Sequence, residues 1–68
     1  MQLTKQELCS RIIDALETIE LTRNDHADIN PVACWNQVRK IAKGKPLSSL
    51  PPSTLRLLLN MYTGILAR

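Results

Sequence analysis

The four prolines of this 68-residue chain constrain its fold more than any other feature, because they fall at only two places. Pro31 stands alone, and Pro46, Pro51 and Pro52 crowd one short stretch. Inside a helix a proline removes a hydrogen bond and collides with the preceding turn, whereas in the first turn it is tolerated. The chain is therefore cut into three segments, each long enough for several helical turns.

The first segment opens on a capping box, Thr4-x-x-Glu7, in which each side chain satisfies the backbone amide of the other residue. Leu8, Ile12, Leu16 and Ile19 follow at four- and three-residue spacing, and Cys9 and Ile13 widen the stripe to about 140° of arc. Glu7 and Arg11 form an i,i+4 pair in the favourable order, worth roughly 0.3 kcal/mol. This helix is expected to end near Arg23-Asn24. Asn24 to Asn30 is polar and turn-rich and reads as a loop. Asn30-Pro31 then supplies an N-cap followed by proline at the first helical position. Cys34, Trp35, Val38, Ile41 and Ala42 share one face of the second helix, and Gly44 with Pro46 stops it. Ser48 or Ser49 is expected to cap the third helix, with Pro51 and Pro52 in its first turn. Leu55, Leu58, Leu59, Tyr62, Ile65 and Leu66 make its core stripe, while Leu57 and Met61 lie on the flank.

The expected fold is all-α, one small three-helix domain over residues 1–68. Its helices are placed at about 4–23, 31–43 and 50–66, and Trp35 anchors the core. Apolar residues make up 44% of the chain, nearly all aliphatic, with no Phe, one Trp and one Tyr, and strand signals are absent. A chain of this length buries only about 60% of its unfolded surface, so its stability is expected to be marginal. Self-association is one remedy, and helix three carries more apolar surface than one protomer needs. A symmetric homodimer through that helix is the natural hypothesis.

Two cysteines, Cys9 and Cys34, are too few for a disulfide scaffold. The first residues lack a charged-then-apolar leader. The longest aliphatic run, Leu57-Leu58-Leu59, falls far short of the roughly 20 residues that span a bilayer. These features point to a reduced, soluble, cytoplasmic protein with no membrane span.

Charge bears on partners. Glu7, Asp14, Glu17, Glu20, Asp25 and Asp28 are the only acidic residues, and all precede Ile29. With Lys5, Arg11 and Arg23 they give the front a net −3, while Arg39, Lys40, Lys43, Lys45, Arg56 and Arg68 give the back +6. Arg39, Lys40, Lys43 and Lys45 gather at the end of helix two. There they complement the helix dipole, but Arg39 and Lys43 also repel at i,i+4, which an anionic partner would offset.

Catalysis and metal binding find no support. His26 lies between Asp25 and Asp28 as the only histidine, no C-x-x-C exists, and neither glycine builds a phosphate loop. No cofactor and no enzymatic activity are expected. The long, proline-rich connection and the apolar third helix weigh against a helix-turn-helix reading, although Arg56, Asn60 and Thr63 line up on one face. The function expected is that of a small intracellular adaptor or regulatory domain. It would bind a protein partner through apolar residues of helix three (Leu57, Met61, Tyr62 and Ile65) and through basic helix two. The alternative is a small nucleic-acid-binding regulator, with Arg39, Lys40, Lys43 and Lys45 on phosphates and Arg56 and Asn60 nearer the bases.

Overall fold

Three α-helices form where the caps place them. A computed structural model of the chain describes residues 3–25 and 28–67. The described residues make α1 (Lys5–Leu21), α2 (Pro31–Ala42), a 3-10 turn (Leu47–Ser49) and α3 (Pro52–Leu66), with no strand. His26, Ala27 and Arg68, and with them part of the expected loop, lie outside the described residues.

The capping box of α1 is complete. The Thr4 amide donates to Glu7 Oε1 at 3.1 Å, and the Glu7 amide donates to Thr4 Oγ1 at 3.2 Å. These bonds, the Thr4 amide first, hold the Glu7 carboxyl below its usual pKa. The helix stops at Leu21, two residues before the expected end, with the Thr22 hydroxyl bonded back to the Thr18 carbonyl at 2.7 Å. At the start of α2 the Asn30 side chain accepts from the Val32 and Ala33 amides at 3.0 and 3.4 Å.

Two further termini differ from expectation. The stop of α2 comes at Lys43, which is itself left-handed (φ 55°, ψ 41°), one residue ahead of the also left-handed Gly44 (φ 77°). For a residue with a Cβ this conformation costs roughly 1–2 kcal/mol. Neither Ser48 nor Ser49 caps α3: the N-cap is Pro51, without a side-chain bond. The Ser49 hydroxyl instead donates to the Pro46 carbonyl at 2.7 Å, closing the 3-10 turn that takes up Leu47–Ser49.

Leu8, Ile12, Leu16 and Ile19 of α1 and Leu55, Leu58 and Tyr62 of α3 supply all the largest fully buried side chains. The α1–α3 pairing is the most extensive contact in the fold, and α2 meets α1 more sparingly. No Cα of α2 comes within 8 Å of a Cα of α3. The molecule is 15 Å through its thinnest direction, about the depth of two packed helices. What joins α3 to α2 is Tyr62. Its hydroxyl donates to Gln37 Oε1 at 3.1 Å and, at longer reach, to the Cys34 carbonyl at 3.4 Å.

Trp35 does not anchor the core. It is half-buried and packs against the core from its edge, because the α1–α3 pair already fills the centre. Ile13 and Ile41, expected on core stripes, reach the surface, Ile13 at the rim of a groove between α1 and α2.

Candidate interaction site

The basic cluster assembles at the end of α2, and the fold sets it against an apolar groove. Arg39 and Lys40 lie in the last turn of the helix. After Ala42 the left-handed Lys43 and Gly44 reverse the chain, with the Lys45 amide donating to the Ala42 carbonyl at 3.0 Å. That reversal returns Lys45 to the groove that Arg39 also borders.

The groove runs between α1, α2 and the 3-10 turn and encloses about 250 Å³. Leu16, Val38 and Ala42 are buried and form its floor, Trp35 and Leu47 are half-buried walls, and Ile13, Arg39 and Lys45 are exposed at its rim. Two cations and six apolar side chains line it, with no carboxylate among them.

The expected apolar surface of α3 is smaller than its four residues suggested. Leu57 and Met61 are exposed, at 62% and 39%, and Ile65 is half-buried beside the core. Tyr62 is 1% exposed and belongs to the core, where its ring fills the space between α3 and α2, so it offers nothing to a partner. Burial, and next the facing Cys34 thiol, raise the Tyr62 phenol above its ordinary pKa, and burial raises Cys34 likewise. Both groups are neutral and structural at neutral pH.

The six residues assigned to anion binding divide. Arg39, Lys40, Lys43 and Lys45 stay together at the end of α2. Asn60 lies in a separate groove between α1 and α3, beside Arg11 and Asp14, and the neighbouring Thr63 hydroxyl is bonded to its own helix at the Leu59 carbonyl (2.7 Å). Arg56 is exposed on α3, a helix whose backbone does not approach α2.

Three residues gain significance only in the fold. Trp35 becomes a groove wall. Leu21 and Val32 project into solvent, 85% and 65% exposed. The sequence signal for Leu21 was present, since it follows Glu20 outside the core stripe of α1, between the last buried position and the loop.

Cys9 and Cys34 are free thiols, and among the described residues no group of His, Cys, Asp and Glu side chains gathers as metal ligands. No helix of the described residues is long and apolar enough to cross a membrane. Comparison with protein-family models, with curated proteins and with solved structures gives no significant match.

Proposed function

We propose that this chain is a non-enzymatic adaptor or regulatory interaction domain that binds a protein partner at the basic end of α2. The observation that carries the reading is the groove: an apolar hollow rimmed by Arg39 and Lys45, with Lys40 and Lys43 close by and no acid in its lining. Such a surface suits a protein segment with an apolar side chain flanked by carboxylates. The apolar contact supplies affinity, and the charges at the rim steer encounter and reject basic competitors. The Leu57–Met61 edge of α3 offers a second, smaller contact. Phosphate backbones would satisfy the cations but leave the hollow unfilled, which favours a protein over a nucleic acid.

The test compares two immobilised baits, the wild-type chain and the Arg39→Glu/Lys45→Glu variant, exposed to extract of the cells that make the protein. A protein retained only by the wild type, and displaced by a helical glutamate–leucine peptide, supports the proposal. Equal retention on both baits, or release by duplex DNA or nuclease but not by the peptide, overturns it.

A further inference from the structure

We infer that the groove receives Leu21 of a second copy of this chain, so that the protein forms a two-fold dimer. The inference rests on the groove being a binding site, as proposed above, and names its occupant. Leu21, the last residue of α1, is the most exposed of the large apolar side chains described. A lone exposed leucine is ordinary. Its surroundings set this one apart. Glu17, Glu20 and Arg23 share its patch of surface, so an apolar knob stands beside two carboxylates. The groove has the converse character, an apolar hollow with two cations. Its 250 Å³ lies below the about 300–1,000 Å³ of small-molecule sites, a size that suits an inserted side chain better than a free ligand.

Symmetry decides whether such a knob and hollow can close. At unrelated places on a surface they would string copies into an open fibre; within one self-complementary patch they give a closed dimer. Ile13 at the groove rim, Glu17 and Leu21 follow at four-residue steps on α1 and so lie along one stripe of the helix. Ile13 and Leu21 are therefore about 12 Å apart along the axis. Two α1 helices laid antiparallel and crossing near Glu17 bring each Leu21 to the other copy's Ile13. The same arrangement sets Glu20 of one copy towards Arg39 and Lys45 of its partner, while the two Glu17 side chains flank the crossing, where the nearby cations offset their mutual repulsion. The interface uses α1 and the α2 groove, and leaves the Leu57–Met61 edge of α3 out.

Sedimentation and light scattering from micromolar to millimolar concentration test the inference, with circular dichroism confirming that each variant remains helical. The wild type should pass from monomer to dimer and dissociate more readily at high salt. Leu21→Lys, at a solvent-exposed position, should weaken the dimer at least tenfold, roughly the loss of one anchor residue, while Leu57→Lys leaves it intact. A charge swap is the most exacting arm. The Arg39→Glu/Lys45→Glu chain and the Glu17→Lys/Glu20→Lys chain should each be monomeric alone and form a mixed dimer when combined. A wild type that stays monomeric, a dimer that survives Leu21→Lys, a dimer lost in Leu57→Lys, or failure of the mixed pair overturns the inference. Fluorescence of Trp35, the one tryptophan, separates this failure from that of the proposed function. If a monomeric wild type still responds to the glutamate–leucine peptide, the groove binds another protein. If it does not respond, both readings fall.

Discussion

The α1–α3 seam and the attachment of α2 are built to different standards. The seam joins Leu8, Ile12, Leu16 and Ile19 to Leu55, Leu58 and Tyr62, all essentially without solvent contact. α2 contributes only Cys34, Val38 and Ala42 to the buried set, none of them large, and its tryptophan is left half out. Yet α2 carries the basic cluster and a wall of the groove. On the proposed function, the division is a way for a very small protein to present a binding surface: two helices supply most of the buried core, and the third displays its side chains.

The sharpest way to break the comparison is to cut into the seam. Ile12→Ala removes a fully buried side chain and should cost about 2–5 kcal/mol. A chain of this length has roughly 3–10 kcal/mol in total, so urea denaturation followed by circular dichroism should find a large part of that stability gone. No single truncation on α2 should do as much.

The attachment of α2 yields smaller effects. Asn30→Ala removes the side chain that accepts from two amides and should cost about 0.5–2 kcal/mol by the same assay. Tyr62→Phe removes the hydroxyl bonds between α3 and α2, about 0.5–1.5 kcal/mol. Hydrogen exchange should then quicken in α2 more than in α1. This variant also carries a pH signature. Burial raises the folded-state pKa of Tyr62 above its ordinary 10.0, so the neutral phenol favours the folded state. That contribution is complete below the ordinary value and is lost as pH rises through it towards the folded value. The wild type should therefore lose stability on the alkaline side, and Tyr62→Phe should lose less, with a remainder from Cys34, whose thiol is shifted in the same sense.

The smallest effects run the other way. Lys43→Gly relieves a left-handed residue at the end of α2 and should gain up to about 1 kcal/mol, while removing one cation. Gly64→Ala should gain about 0.4–1 kcal/mol on the α3 side, because an added Cβ meets nothing within 4 Å. Thermal melts would read both, and a loss at Gly64 would mean that another surface packs against it.

How much of this was legible in the sequence follows the range of the interactions. The capping box at Thr4 and the Asn30-Pro31 start are local, and both helices begin where those signals place them. The serine cap expected for α3 does not form because Ser49 has a nearer acceptor, the Pro46 carbonyl, and closes a short turn there instead. Helix periodicity assigns a face to each residue but does not say which helix covers that face. Trp35 and Ile13 share the periodicity of the core residues, yet both lie at the core's margin, where they line the groove between α1 and α2. Tyr62 fits both a core and a surface role by spacing alone, and the packing puts it in the core. The basic cluster was visible as charge. The groove it borders was not, since its lining comes from α1, α2 and the 3-10 turn together.

Because the principal seam pairs α1 with α3, the order of synthesis matters. Residues 22–51 separate the two helices, so the seam closes only after that whole segment has been made and α3 has cleared the ribosome. At about 5–20 residues per second, adding the 15 residues of α3 takes on the order of one to three seconds. During that interval the apolar stripe of α1 has no α3 to cover it. The apolar stripe of α1 therefore stays without its principal cover until Leu55, Leu58 and Tyr62 arrive.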